Sequence, residues 1–288
     1  MTELRWGSRT FGDHDRVVMA IVNRTTDSFY DQGATFAEDR ALERVRQVVR
    51  EGADMVDIGA IKAAPGEEIS VAEEIDRTAT FVAAVRAEFP DLVISVDTWR
   101  AEVGRAVTEA GANVLNDAWG GWDPELAVVA AQAGAGLVCT HAGGAAPRTR
   151  PHRVQYDDVV ADVVSTLVGL TERAVSVGVD PARVVIDPGH DFMKNTYHSL
   201  AVTRAVPELV ATGWPVLMSL SNKDFVGETL DAAIDDRVVG TLAVTSLVSS
   251  WGARVFRAHN VRETRQTLDM VGAVLGHRPP LRVVRGLA

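Results

Sequence analysis

Short runs of apolar, mostly β-branched residues recur along this chain, separated by longer stretches in which apolar positions return every three or four residues. The runs are RVVMAIV from Arg16, MVDIG from Met55, LVISVD from Leu92, NVLND from Asn113, GLVCT from Gly136, RVVID from Arg183, PVLMS from Pro215 and RVFRA from Arg254. Most are nearly continuous in apolar residues, as parallel strands covered on both faces are, and the intervening segments are long enough for crossover helices. In the first of these segments Ala41, Val45, Val48, Val49 and Gly52 share one helical face, while Glu43, Arg44, Arg46 and Gln47 lie outside it. Eight strand-then-helix units predict an α/β fold, a single (β/α)8 TIM barrel over residues 1–288 with 1–15 as a short N-terminal extension. A doubly wound open sheet is the alternative, but neither G-x-G-x-x-G nor G-x-x-x-x-G-K-[ST] occurs. The longest loops are expected after the first, second, fifth and seventh strands.

Composition narrows the picture. With 288 residues and 47% hydrophobic content the chain can bury a large core. A net charge of -10 without any basic run argues against nucleic acid or an anionic membrane as partner, so an anionic ligand has to be met by local cations. The opening MTELRWGSRTFGDHDR has no apolar targeting segment and no later stretch is long enough to span a bilayer, which predicts a cytoplasmic protein. Cys139 is the sole cysteine and excludes an intrachain disulfide. Lysine is rare: Lys62, Lys194 and Lys223 are the three lysines among 29 basic residues.

Candidate chemistry clusters where the strands end. Asn23, Lys62, Asp97, Asn116 with Asp117, His141, Asp187, Ser219 with Ser221 and Lys223, and Arg257 with His259 each follow an apolar run. An Asp or Asn in that place is often only the N-cap of the next helix. A lysine is a poor cap beside a positive helix N-terminus, and in a barrel all of these groups converge on the C-terminal face, where such folds place their sites.

The ordered motifs N-R-T-T-D-S-F (Asn23 to Phe29), S-V-D-T (Ser95 to Thr98), N-D (Asn116, Asp117), D-P-G-H-D-F-M-K (Asp187 to Lys194), S-N-K-D-F-V-G (Ser221 to Gly227) and R-A-H-N-V (Arg257 to Val261) resemble those of the dihydropteroate synthase family, from about Arg16 to Leu275. Enzymes of that family join p-aminobenzoate to 6-hydroxymethyl-7,8-dihydropterin pyrophosphate. The resemblance implies a pterin pocket built from Asp97, Asn116, Asp187 and Lys223, with Phe192 and Met218 as apolar walls. It implies catalytic roles for Asp97, Arg257 and His259, with Asp97 stabilising positive charge as pyrophosphate departs. It further implies Lys62, Ser221, Arg257 and His259 around the anion and the aminobenzoate, Asn23 as a ligand to Mg2+, and a homodimer. The apolar segment Thr241 to Trp251 is consistent with the last.

Departures from the family pattern concentrate in the loops. Where the family reads G-G-E-S-T-R-P-G after the second strand, this chain has G-A-I-K-A-A-P-G from Gly59 to Gly66, so Ala63 and Ala64 replace a threonine and an anion-clamping arginine. A charge-assisted contact of that kind contributes about 1.5–3 kcal/mol. Arg24 and Thr26 stand in the first loop, Asn222 replaces arginine in S-x-K, and Asn260 replaces aspartate after R-x-H. The expected function is therefore that of a dihydropteroate synthase homologue with an intact pterin pocket and impaired or absent synthase chemistry. Two alternatives stand beside it: an active synthase in which Lys62 and Arg24 replace the loop arginine, and an enzyme acting on another folate-like or phosphorylated substrate.

Overall fold

The structure, a computed structural model, describes residues 3–23, 38–61, 69–149 and 154–285. Each of the eight apolar runs is a strand. They are β3 (Val17–Asn23), β4 (Met55–Gly59), β5 (Val93–Asp97), β6 (Val114–Asp117), β7 (Gly136–Thr140), β8 (Val184–Asp187), β9 (Leu217–Met218) and β10 (Val255–Ala258). All pair in parallel in the order β8-β7-β6-β5-β4-β3-β10-β9. The ring closes where Ile186 bridges Val216, with the Ile186 amide donating to the Pro215 carbonyl at 3.0 Å. This is the predicted TIM barrel.

The crossovers are α1 (Glu38–Arg50), α2 (Val71–Glu88), α3 (Ala101–Glu109), α4 (Glu125–Ala133), α5 (Val159–Ser176), the pair α6 (Thr196–Arg204) and α7 (Val206–Ala211), then α8 (Asp224–Leu230) with α9 (Val238–Ser250), and finally α10 (Val261–Val274). Strand parity decides what each residue meets. Val18, Ala20, Val56, Ile58, Ile94, Val96 and Met218 face outward into the layer shared with Ala41, Val45 and Val48 of α1 and Phe81, Val82 and Val85 of α2, all buried. Each such aliphatic or aromatic side chain contributes about 1.5–3 kcal/mol on burial.

Their alternates face inward. At the N-terminal end Val17, Met19, Met55, Val93, Val114, Val138, Val185, Leu217 and Val255 form an inner layer, and it is sealed by the N-terminal segment. That segment is an antiparallel hairpin, β1 (Leu4–Trp6) and β2 (Arg9–Phe11), whose Leu4, Trp6 and Phe11 plug the barrel floor. Trp6 is fully buried and its indole Nε1 donates to the Arg183 carbonyl at 3.1 Å. Gly136 opens β7 because a Cβ there would run into that indole. With the floor plugged, only the C-terminal end of the barrel is left for ligands.

Candidate functional site

A cavity of about 670 Å³ opens at that end, and Asn23, Asp97, Asn116, Asp187, Phe192, Ser221, Lys223, Arg257 and His259 all line it. None of the strand-end carboxylates caps a helix: the N-caps of α3 and α6 are Arg100 and Asn195, downstream of Asp97 and Asp187. These strand-end groups, with Ser219, share one chamber, whereas Asp117 and His141 do not line it.

The floor is organised by a residue that reasoning passed over. Asp57, fully buried in the middle of β4, accepts from Ser95 Oγ at 2.6 Å on one oxygen. Its other oxygen accepts from Arg257 Nε at 2.6 Å and from Asn116 Nδ2 at 3.1 Å. Arg257 reaches on to Asp97, with Nη2 3.4 Å from Oδ2. Burial works against the charge of Arg257, but Asp57 and Asp97 together outweigh it and raise its pKa. Burial pushes Asp97 up to about 7 against the opposing pull of Arg257, with Asp57 adding like-charge repulsion.

On the opposite wall Asp187 accepts from the Gly189 amide at 2.7 Å, and burial raises its pKa while Lys223 pulls it back. Lys223 holds the helix-cap position of α8 but makes no cap bond; its Nζ donates to the His190 carbonyl and lies 5.2 Å from the Phe192 ring centroid. Burial lowers the pKa of Lys223, while Asp191 and Asp187 oppose that shift. His259 sits with Nδ1 3.0 Å from Ser221 Oγ, and burial followed by the nearby Arg257 depresses it to about 3, so it is neutral at physiological pH.

The loop from Asp187 to Asn195 is nailed down by Lys194. This lysine is buried, and its Nζ meets His141 Nδ1 at 2.7 Å and the carbonyls of Gly189 and Phe192 at 3.1 Å. Desolvation lowers it to about 7. His141 is anchored in turn by Asp162, 2.7 Å from Nε2, and burial depresses its pKa to about 4. Gly189, at φ 65°, lies so close to the His141 carbonyl that no side chain fits.

The apolar walls differ in part from expectation. Phe192 lines the cavity and meets Trp119 edge to face at 5.4 Å. Met218 does not: within P-V-L-M-S, alternation turns Leu217 and Ser219 inward and sends Met218 into the helix-facing layer. Ile21 and Trp119 supply the wall instead. Asp117, held up to about 6 by burial, shapes the turn that presents Trp119 by accepting from the amides of Trp119 at 3.0 Å and Gly121 at 2.7 Å. Lys62 and Arg24, like Ala63 and Ala64, lie outside the described residues. Sequence reasoning singled out Lys194 without assigning it a role and passed over Trp119 and Asp57; strand parity alone would have found Asp57, which shares its face with Met55 of the inner layer.

A closed barrel with a plugged floor and a polar chamber at its C-terminal mouth is the architecture of a small-molecule site. The sequence matches the model of the family described as "Pterin binding enzyme" over residues 19–259, and the chain belongs to that family. It is 54% identical over 277 residues, 95% of each chain, to a Mycobacterium leprae protein named "Inactive dihydropteroate synthase 2". The fold superposes on Yersinia pestis dihydropteroate synthase in a sulfonamide complex with a TM-score of 0.89 at 31% identity, covering 96% of this chain and 100% of that one. It also superposes on the Xanthomonas albilineans synthase in complex with 7,8-dihydropteroate, with a TM-score of 0.83 at 34% identity and coverage of 95% and 98%.

Proposed function

We propose that this chain is a dihydropteroate synthase homologue that binds a pterin in the mouth cavity and catalyses the synthase reaction poorly or not at all. One observation carries the reading: the floor groups are complete, while each described cation lining the cavity is already engaged. Arg257 is held by two carboxylates, Lys223 by the His190 carbonyl and Lys194 by His141 and the neighbouring carbonyls. A departing pyrophosphate needs cations aimed at the charge it develops. The arginine that the second loop would supply is Ala64 here. High identity to a relative named inactive supports the same conclusion.

Recognition and rate are separable in this design. Asp97, Asn116 and Asp187 accept hydrogen bonds from a ring edge and Lys223 donates to its acceptor side, which supplies affinity. Turnover depends on groups that meet the leaving anion and the incoming amine. A magnesium ion would be held by Asn23, which lines the cavity and offers a hard side-chain oxygen, together with a substrate's own phosphate oxygens.

The protein is proposed to be a homodimer through its outer helices. In α9 the face toward the barrel carries Thr241, Thr245, Val248 and Ser249, while Leu247 and Val239 are exposed, as are Met270 and Val274 of α10. Among the described residues no helix is long and apolar enough to cross a membrane. The test of the main reading is a paired measurement of pterin binding and of dihydropteroate formation; binding without product supports it, and robust product formation favours the active-synthase alternative.

A further inference from the structure

The mouth cavity shares Trp119 and Val154 with a second cavity of about 1390 Å³, lined by the segments that follow β6 and β7 and by the start of α5. The loop from Asp187 to Asn195 runs between the two. Residues 190–195 line the mouth, while the Met193 carbonyl accepts from Tyr156 Oη of the second cavity at 2.9 Å. Gly189, Asp191 and Met193 are left-handed, at φ 65°, 64° and 49°, and two of the three carry side chains that rarely adopt that conformation. Such a path persists only where its surroundings hold it. The tie is Lys194, whose ammonium protons find His141 Nδ1 at 2.7 Å and the Gly189 and Phe192 carbonyls at 3.1 Å, with the His141 carbonyl further off at 3.3 Å. An ammonium only donates and an ionised carboxylate only accepts, so the imidazole between Lys194 and Asp162 has one arrangement. Its lone pair is on Nδ1, and its proton is on Nε2, donated to Asp162 Oδ1 at 2.7 Å.

We infer that Asp162, on α5 and outside the mouth cavity, is a positioning residue for the ligand bound in the mouth: through His141 and Lys194 it holds the loop that carries the Phe192 wall. Asp162 fixes the plane of the imidazole and the nitrogen that keeps the proton, and its negative charge makes Nδ1 a stronger acceptor for the ammonium. Lys194 in turn grips the Phe192 carbonyl, and the ring of that residue meets Trp119 at 5.4 Å and Lys223 Nζ at 5.2 Å. Without the carboxylate the His141 proton can sit on either nitrogen, and the tautomer with Nδ1–H points a donor at the ammonium. The Asp162 side chain is 49% exposed, against 1% for His141, so this latch is reached from the second cavity and not from the mouth. Its ligand readout rests on the pterin-binding reading above; its loop readout does not.

The experiment compares Asp162→Ala and Asp162→Asn with Thr166→Ala, a control that lines the same cavity, all in the full chain. Each is read by nitrogen NMR of the labelled His141 ring, by hydrogen exchange of the amides from Gly189 to Met193, and by calorimetric titration with 6-hydroxymethyl-7,8-dihydropterin. The wild type is expected to carry the His141 proton on Nε2. Asp162→Ala is expected to give a mixture of tautomers, faster loop exchange and affinity weaker by about tenfold, the scale of one lost charge-assisted hydrogen bond. Asp162→Asn, whose amide oxygen still accepts from Nε2, is expected to stay within about threefold of the wild type, and Thr166→Ala to match it. A merely structural role for Asp162 would leave the ring tautomer unmoved or make Asp162→Asn as damaging as Asp162→Ala, and either result overturns the inference. So does a shifted tautomer with unchanged loop exchange and affinity. Should Asp162→Ala fail to fold, the wild-type ring decides: a proton on Nε2 supports the assignment and a proton on Nδ1 refutes it. If the wild type binds no pterin, the pterin reading itself fails, while loop exchange in the variants still tests the latch.

Discussion

Asn222 donates a hydrogen bond from Nδ2 to Asn260 Oδ1 at 3.2 Å, which makes two departures from the family pattern into one. The family carries an arginine at the first position and an aspartate at the second; this chain carries an amide at each. Asn222 is fully buried and left-handed, with φ 56°, a conformation that asparagine tolerates better than most side chains. Reading Asn222 as a cation lost from the anion site is thus incomplete, because its partner changed with it.

Asn222→Arg alone is expected to destabilise the fold by about 3–5 kcal/mol, the cost of a buried charge without its counter-charge. Adding Asn260→Asp is expected to recover much of that loss. Denaturant unfolding of both single variants and the double gives the coupling directly; a coupling below about 0.5 kcal/mol would mean that the two sites are independent.

Burial pushes Asp97 up to about 7, and on the pterin-binding reading a ring N–H would be accepted by its ionised form. Ligand affinity is therefore expected to rise with pH up to about 7 and level off above it, falling by at most about tenfold per pH unit on the acid side. Lys194 is also lowered to about 7, but its ammonium points to His141 and backbone carbonyls. Calorimetry across pH with Asp97→Asn separates the two: the step should vanish, and a step of unchanged size would assign it elsewhere.

Trp6 anchors the hairpin that plugs the barrel floor, far from the mouth in the chain's inner layer. Trp6→Ala is expected to cost about 3–5 kcal/mol of stability. Pterin affinity below the unfolding transition should stay within about twofold, since the plug packs against the inner layer at the floor and its indole bonds to Arg183; this is the distance argument for additivity. Thermal melts and titration of the same variant check both halves.

How legible the fold was depended on burial on both faces. The eight strands stood out because a parallel strand between barrel interior and helices is apolar at nearly every position. The hairpin was read as a mere extension, since strands of three residues around Gly7 show no periodicity to detect. The mouth residues were legible as polar groups ending apolar runs. Asp57 was not, because inside M-V-D-I-G it interrupts a strand instead of ending it, and only its parity with Met55 says that it points inward. The same parity argument, applied to P-V-L-M-S, would have removed Met218 from the pocket wall.

Leu247 and Val239 expose apolar surface on α9, beside Met270 and Val274 of α10. Sedimentation velocity is expected to show a dimer at micromolar concentration, and Leu247→Glu with Val239→Glu to shift it to monomer without loss of fold. A monomeric wild type would leave that surface without the partner proposed for it.

The most direct test of the central claim is dihydropteroate formation by the wild-type chain supplied with 6-hydroxymethyl-7,8-dihydropterin pyrophosphate, p-aminobenzoate and magnesium, with pterin binding measured on the same preparation. The account expects saturable pterin binding and little or no product. It further expects Ala63→Thr with Ala64→Arg to raise turnover by about tenfold or more with a smaller gain in affinity, since the arginine adds charge where charge develops. Turnover by the wild type at a rate comparable with ordinary family members, abolished by Lys62→Ala, would contradict the account and establish Lys62 as the replacement for the missing arginine.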